Sequence, residues 1–308
     1  NMIHKELALS CASVHASRLN ALMTSVDSLL RGHDLSVTAL GRHSPRDTKS
    51  KHAIKQADRL VGNRHLYAER DAIYGYFAER LLASQSRPIV IVDWSDLPDN
   101  RRFVLLRASV PVEGRSISLY EEVHPIARLG NARAHRDFLS QLKSIIPSSC
   151  CPIILSDAGF LVPWFKAVQA LGWDFIGRIR PSLFIRKDGE QSWFKLGESN
   201  KASARARSVG RYQISRSNPF DGHLYSIKNP PKGRHQLTRV GALARSEHSR
   251  KYRHHAKQSW YLFSSLASLP AKRIVALYAN RMQIEESFRD LKSTRSGFAL
   301  TRVRGRSI

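Results

Sequence analysis

Three acidic residues, far apart in the chain, are candidates for one metal site. Asp93 follows the apolar run Ile89–Val92, Asp157 follows the run Pro152–Ser156, and Glu285 lies in a helical pattern near the end of the chain. Magnesium and manganese ions prefer such oxygen ligands, and two ions about 4 Å apart can hold the attacking and leaving oxygens of a phosphoryl transfer. These residues therefore predict metal-dependent chemistry on a phosphate ester.

A helix predicted over residues 270–291 carries the most specific pattern. Tyr278, Arg281, Glu285 and Lys292 stand at offsets of 0, 3, 7 and 14. At about 100° per residue these positions fall within about 60° of one another, so one stripe presents an aromatic ring, a carboxylate and two cations. Arginine and lysine there would balance phosphate charge. The competing interpretation is a surface helix in which Arg281 and Glu285 form an ordinary ion pair.

Each aspartate also has a competing interpretation. Asp96 and Asp99 are rivals of Asp93, which is preferred because it directly ends an apolar strand. Asp174, at the start of another predicted strand, is a more distant rival of Asp157. An isolated aspartate at the end of a strand commonly caps a turn instead. The metal-site hypothesis depends on the three carboxylates occurring together and in this order.

Charge is the unusual feature of the composition. The 308 residues include 50 Lys and Arg against 25 Asp and Glu, which gives a formal charge of +25 and a pI near 10.6. Such an excess favours a polyanionic partner, because each neutralised phosphate releases counterions. The sequence contains no run of about 20 apolar residues, so no membrane span is expected. No leader peptide is recognised at its start. The three cysteines have no CxxC spacing, so a cytoplasmic protein is expected.

The first 83 residues read as a helical DNA-binding domain. A short helix over 36–40 is followed by Gly41 and Pro45, and then by a basic helix predicted over about 48–61. Two such helices around a turn resemble a helix-turn-helix. A solvated basic face on a structural bundle is the alternative. The cations assigned to DNA on the second helix are Lys49, Lys51, Lys55 and Arg59.

The elements after residue 83 predict how the carboxylates are positioned. Residues 84–180 read as three strands, helix, strand, helix, strand, the order that an α/β ribonuclease H-like mixed sheet requires. That fold places the strands ending in Asp93 and Asp157 side by side. Residues 181–269 read as a β-rich insertion, and residues 270–308 as the final catalytic helix with a basic tail.

Three segments together resemble a known family. They are Ile91-Val-Asp-Trp-Ser-Asp96, Ser156-Asp-Ala-Gly-Phe160 and the Tyr278-x2-Arg281-x3-Glu285-x6-Lys292 spacing. These are similar to the cut-and-paste DDE transposases of bacterial insertion sequences, and more narrowly to the group with a Tyr-Arg-Glu-Lys signature found in composite resistance transposons. The resemblance covers nearly the whole chain.

The resemblance implies a mechanism and its residues. Asp93, Asp157 and Glu285 would bind two Mg²⁺ ions, for which Mn²⁺ can substitute. One strand is nicked at each transposon end, the freed 3′-hydroxyl attacks the opposite strand to form a hairpin, and the reopened 3′ ends join target DNA. The implied partners are double-stranded DNA, as terminal repeats and target, and a second copy of the chain in the synaptic complex. The implied setting is the nucleoid of the bacterial cytoplasm.

The same resemblance assigns DNA contacts near the hairpin. Tyr278, Arg281 and Lys292 would grip phosphates. Trp260 matches an aromatic residue that stacks on a flipped base, although a core tryptophan of a β-domain is an equal alternative. Met282 would insert into the hairpin; the alternative is that its side chain only packs within the protein.

The chain departs from the family pattern at its end. Family members usually continue with a helical segment involved in synapsis, whereas this sequence ends 16 residues after Lys292. The expectation is a truncated C-terminus. The alternative function is accordingly a catalytically weak DNA-binding remnant that inhibits transposition, and a third is a structure-specific nuclease of the same fold.

Overall fold

The protein is a mixed α/β structure that divides into two compact units. The computed structural model describes residues 2–97, 102–199, 202–228, 241–247 and 259–293. The first unit comprises the chain up to Pro152 together with the residues from Met282 onward, and the second comprises Ile153–Arg281. Asp99 and the basic tail over 302–306 lie outside the described residues. Within the described ranges, no helix has the length and apolarity needed to cross a membrane.

Five helices open the first unit, in the region that the sequence predicts to be helical. Leu7, Cys11 and Met23 belong to a buried apolar cluster that packs against Ile73 and Tyr76. Because these contacts join residues some 60 positions apart, the first and last of these helices stabilise each other. The helices are α1 (Met2–Ser10), α2 (Ala16–Gly32), α3 (Val37–Arg42), α4 (Ser50–Val61) and α5 (Arg64–Leu82).

Local capping explains where two of these helices begin. Ser36 Oγ accepts a hydrogen bond from the Ala39 backbone N–H at 3.2 Å, and this satisfies one of the donors left open at the start of α3. Asn63 Oδ1 does the same for the first backbone N–H groups of α5. The helical pattern predicts that Ile54, Ala57 and Val61 face the interior. Ala57 is buried and Ile54 is half-buried, but Val61 is exposed, and Ala53 is the other buried residue of α4.

The strands of the first unit form an antiparallel sheet in the order β3-β2-β1. Their bounds are β1 (Ile89–Asp96), β2 (Phe103–Val112) and β3 (Arg115–Pro125). The Glu113-Gly114 pair between two strand patterns predicts a hairpin turn, and this is confirmed, since both residues have positive φ. The prediction that β1 ends at Asp93 is wrong, because the ladder with β2 continues to the pair Asp96–Val104.

Helix α6 (Ala132–Ile145) encloses a buried polar cluster in the first unit. Trp94 Nε1 donates to Nε2 of His135 at 3.0 Å, and the Trp94 ring meets that of His124 edge to face. Burial lowers the pKa of His135 from 6.5 to about 4, and His124 adds to the lowering. Because Nε2 accepts from Trp94, His135 is neutral in the folded protein.

We expect the protein to lose stability as the pH falls from 6.5 to about 4. In that range the unfolded chain binds a proton on His135 that the folded chain does not, so unfolding is favoured by at most about 3 kcal/mol. The midpoint of urea unfolding at pH 7 and pH 5 measures this. His135→Gln keeps an acceptor for Trp94 and should flatten the dependence. His65→Gln, an exposed site on α5, should not, and equal slopes in all three proteins would contradict the assignment.

The second unit contains one larger mixed sheet, in the order β4-β5-β10-β9-β8-β6-β7. The pair β4–β5 is parallel and the other described pairs are antiparallel. Its elements are β4 (Ile153–Ser156), α7 (Val162–Ala170), β5 (Asp174–Ile179), β6 (Phe184–Lys187), β7 (Phe194–Lys195), α8 (Leu196–Ser199), β8 (Arg207–Ile214), β9 (Phe220–Ile227), β10 (Trp260–Ser264) and α9 (Ala271–Ala279).

The strands between residues 181 and 269 extend the sheet that β4 and β5 begin. Tyr261 to Ser264 of β10 pair antiparallel with Ile179 to Ile176 of β5. An aromatic cluster of Phe165, Phe175, Phe220 and Phe263 packs across this junction. The β-rich segment therefore shares a hydrophobic core with β5 and α7.

The prediction of a single helix over residues 270–291 is wrong. The structure has two helices, α9 in the second unit and α10 (Met282–Lys292) in the first. The backbone N–H groups of Asn280 and Arg281 donate to carbonyls three residues back, which tightens and ends the last turn of α9. Of the four predicted residues, only Glu285 and Lys292 therefore share one helix, α10.

Candidate active site

Asp93 lies within β1 and is almost completely buried. Its side chain is 9% exposed, and Oδ1 accepts a hydrogen bond from the Trp94 backbone N–H at 2.9 Å. Directly opposite on β2 is Arg107, so the two side chains share one face of the sheet. Ser95, two residues further along β1, lies on the same face.

Helix α10 packs against all three strands of the first unit and carries the other predicted residues. Glu285 is half-buried in its first turn, and Lys292 is half-buried in its last turn. Lys292 Nζ donates to Ser95 Oγ at 2.8 Å. Burial lowers the pKa of Lys292, the Asp96 carboxylate opposes this effect, and Arg107 adds to it.

Contacts at the far side of α10 fix it to β3. Ser287 Oγ accepts from the Ser116 backbone N–H at 2.8 Å, and Asp290 pairs with the guanidinium of Arg115. These contacts join α10 to β3, and the Lys292–Ser95 bond joins it to β1. Glu285 is therefore held on a helix whose position over β1 to β3 is determined at several points.

Asp157 directly follows β4, as predicted. Its Oδ1 accepts a hydrogen bond from the Gly159 backbone N–H at 2.8 Å, which closes a tight turn. Phe160, at the end of this turn, is buried with its ring 4.6 Å from that of Trp164. The turn is thus anchored in the core of the second unit, and it presents a half-buried carboxylate.

The structure assigns the three carboxylates to different units. Asp93 and Glu285 belong to the first and Asp157 to the second. Among the described residues, no group of three or more His, Cys, Asp or Glu side chains is arranged to hold a metal ion. The meeting of Asp157 with Asp93 and Glu285 stays a prediction. The chemistry of the donor set, which consists of carboxylate oxygens, fits Mg²⁺ and Mn²⁺.

The predicted hairpin contacts are more buried than a DNA-facing stripe suggests. Tyr278 is 2% exposed, and its ring meets that of Trp260 edge to face at 5.3 Å. Trp260 itself is half-buried at the start of β10. Arg281 is buried, and Met282 is half-buried as the first residue of α10. Tyr278 therefore supports Trp260 from the interior of the second unit.

The predicted basic helix has a fully exposed cationic face. Lys51, Lys55 and Arg59 recur every four residues along α4, and all three side chains are exposed. Lys49, just before the helix, is exposed as well. Their opposite face packs on α3, where Gly41 leaves no room for a side chain against Ile54. The close pair α3–α4 presents these cations as one surface.

Sequence reasoning missed two residues beside Asp93. Ser95 receives the bond from Lys292, and its place on the same strand face follows from the two-residue period of a β-strand. Arg107 faces Asp93 from another strand, and only the register of the β1–β2 pair brings it there. No motif in the sequence marks it.

Among the solved structures that match the chain, two share 11% identity with it. A piggyBac transposase synaptic complex with hairpin DNA aligns with a TM-score of 0.44, over 94% of this chain and 64% of that chain. An Aa-Ago structure with externally bound siRNA aligns with a TM-score of 0.28, over 84% of this chain and 34% of that one. Both scores are too low to support a conclusion about this protein.

The family comparison is decisive where the structural likeness is not. No curated protein sequence matches closely enough to count as a relative. Residues 84–307 match the family described as "Transposase DDE domain". This range is more than half of the chain, and it includes Asp93, Asp157 and Glu285. The chain therefore belongs to the DDE transposase family.

Proposed function

We propose that this chain is a cut-and-paste transposase of a bacterial insertion sequence, in the Tyr-Arg-Glu-Lys group. Residues 84–180 and 270–308 would form a ribonuclease H-like catalytic core, and residues 181–269 a β-rich insertion in it. Residues 1–83 would bind transposon ends. A homodimer would pair two ends on the bacterial nucleoid, nick them, form hairpins and join the 3′ ends to target DNA.

One observation carries this proposal. Lys292 Nζ donates to Ser95 Oγ, two residues from Asp93, and so ties the signature helix to the strand of the first carboxylate. A surface helix with ordinary exposed ion pairs would not need to place a half-buried lysine against that strand. The contact supports a site in which Asp93, Glu285 and a phosphate-balancing cation act together.

Divalent metal chemistry fits the proposed residues. DDE transposases typically use divalent metals, and Asp93, Asp157 and Glu285 would hold two Mg²⁺ ions. When bound, such ions lower the pKa of water and neutralise developing charge on phosphate. The chain's own cations, Lys292 and Arg281, would orient the scissile phosphate and balance its remaining charge.

The aromatic pair of Trp260 and Tyr278 in the second unit could bind a base that has flipped out of the DNA stack. Trp260 keeps one half-buried ring, and Tyr278 braces it edge to face from below. Stacking a flipped base on Trp260 would stabilise the distorted DNA at a hairpin. In this proposal Tyr278 acts through Trp260, and Met282 has a packing role.

Binding of transposon ends is assigned to the exposed cations of α4. Lys55→Ala should weaken duplex binding and reduce the slope of log affinity against log salt by about one, since one phosphate contact is lost. Filter binding or fluorescence anisotropy between 50 and 200 mM salt, roughly the range in which such slopes develop, measures it. Lys143→Ala, an exposed lysine on α6, is the matched control. Equal slopes for the two variants would remove α4 from the interface.

A joining assay tests the reaction. The full chain is incubated with Mg²⁺, a target plasmid and a duplex carrying the DNA that flanks its coding sequence. We expect nicked ends, fold-back hairpins on a denaturing gel, and ends covalently joined to the plasmid. Hydrolysis without joining would instead indicate a nuclease of the same fold. Duplex binding without any nicking would indicate an inhibitory remnant.

A further inference from the structure

Arg107 is a buried cation for which the proposed reaction has no role so far. Its side chain lies on β2, and the residue is 6% exposed. Nε approaches Glu121 Oε1 on β3 at 2.9 Å, and the guanidinium carbon lies 4.7 Å from the centroid of the Phe288 ring on α10. Within the part of the chain that the structure describes, Nε makes no hydrogen bond, so charge and stacking hold the side chain.

Strand register places this cation between two carboxylates. Arg107 is directly opposite Asp93 on β1 and directly opposite Glu121 on β3. Directly opposite residues of an antiparallel pair have Cβ atoms about 4.5–5.5 Å apart and point to the same face. The three side chains therefore form a row of carboxylate, guanidinium and carboxylate on the face that α10 covers.

The helix above this row carries the signature residues. Phe288, 5% exposed, lies over Arg107 in the middle of α10. Glu285 is three residues before it and Lys292 four residues after it, so all three share one face of the helix. Fixing Phe288 therefore fixes the rotation of α10 about its axis, and with it the directions of Glu285 and Lys292.

We propose that Arg107 is a positioning residue of the strand-cleavage reaction, which orients α10 so that Glu285 and Lys292 face the strand that bears Asp93. This proposal rests on the proposed function. An arginine suits the place better than a lysine, because its planar guanidinium can stack on Phe288 while its edge faces Glu121. Removing it would leave Glu121 with the hydrogen bond from Ser118 but without its cationic partner under the helix.

A competing role as a simple charge makes the opposite prediction. If Arg107 only repelled cations from the carboxylates, its removal would tighten the binding of a divalent ion. If it positions Glu285, its removal loosens that binding. Mutations of residues that orient metal ligands typically weaken metal affinity by about 10- to 100-fold.

The experiment uses the full chain with Arg107→Gln, Arg107→Lys and the control Arg115→Gln. Arg115 also anchors the same helix, through Asp290, but at an exposed site where an ion pair contributes little, so its loss should loosen α10 far less than the loss of the buried Arg107. Hydrogen exchange of the amides over 282–292 reports the order of α10, and electron paramagnetic resonance reports Mn²⁺ binding. For Arg107→Gln we expect faster exchange in α10 and about 10-fold weaker Mn²⁺ binding. Arg107→Lys should lie between this variant and the original chain.

The two readouts separate the possible failures. Unchanged exchange in α10, or Mn²⁺ binding that is equal or tighter in Arg107→Gln, would overturn the positioning role. If Arg115→Gln weakened Mn²⁺ binding and sped up exchange in α10 to the same extent, the positioning role would also be overturned. The effect would then follow from the loss of any contact that holds the helix. If the original chain bound no Mn²⁺, the proposed metal chemistry would fail, and the exchange data would still decide whether Arg107 orders α10.

Discussion

Replacing Asp157 with asparagine should lower the rate of Mg²⁺-dependent nicking by on the order of 10³-fold, about 4 kcal/mol of transition-state stabilisation. An amide oxygen is a poorer ligand for a hard divalent cation than a carboxylate. The same oxygen can still accept the Gly159 N–H bond that closes the turn after β4, so the local fold should survive. Single-turnover nicking at saturating duplex DNA, with affinity measured separately, isolates the chemical step.

The matched control for this change is Asp174→Asn. Asp174 begins β5 in the same unit, and its carboxylate accepts a hydrogen bond from Ser265 at 2.7 Å, a role that an asparagine oxygen can also fill. Its nicking rate should stay close to that of the unchanged chain, and duplex affinity should be the same for both variants. Retained nicking in Asp157→Asn would show that Asp157 is not a metal ligand. An equal loss in Asp174→Asn would show that the loss is not specific to Asp157, and would remove the support for its role.

Elements with a strong local signal could be predicted from the sequence. Strand β4 is a run of buried residues, apolar except for Ser156, and Asp157 follows it. The helical spacing of Phe138, Leu142 and Ile145 predicts one buried face, and α6 buries all three. In both cases the periodicity of the chain and the burial in the fold agree. The predicted place of Asp157 therefore required no knowledge of long-range contacts.

Elements fixed by distant partners could not be predicted in the same way. Aspartate is depleted in strands, so the local pattern ends β1 at Asp93, yet pairing with β2 extends the strand to Asp96. Residues 270–291 have a continuous helical pattern, and only the hydrogen bonds of Asn280 and Arg281 reveal the break. In each case tertiary or terminal hydrogen bonding overrides the local pattern.

Arg107 illustrates the largest gap between sequence and site. Strands β1 and β2 are joined by residues 97–102, a connection longer than the two-residue turns that fix a register. The sequence therefore does not reveal that Arg107 faces Asp93, or that the Phe288 ring covers it. A carboxylate motif can be recognised from spacing, whereas the residues that orient it depend on register.

The second large effect is expected at Gly41, where α3 meets α4. A Cβ atom there would lie 2.4 Å from Ile54 Cγ1 and 2.5 Å from both Cα and N of Ile54. The backbone of α4 cannot rotate away as a side chain can, so Gly41→Ala should separate the two helices and cost about 3 kcal/mol. That change corresponds to roughly 100-fold faster hydrogen exchange in α3 and α4. Duplex binding should weaken with it, because Lys51, Lys55 and Arg59 lie on the helix that has to move.

Gly75→Ala is the matched control, because it makes the same change in the middle of a helix. An added Cβ at Gly75 on α5 meets nothing within 4 Å. Alanine is a better helix former than glycine by about 1 kcal/mol, so this variant should be as stable as the original chain or more so. If Gly41→Ala destabilises the protein and Gly75→Ala does not, helix propensity cannot explain the loss of DNA binding. The close packing of α3 on α4 would then explain it. Slow exchange and full DNA affinity in Gly41→Ala would mean that α4 does not need this packing to present its cations.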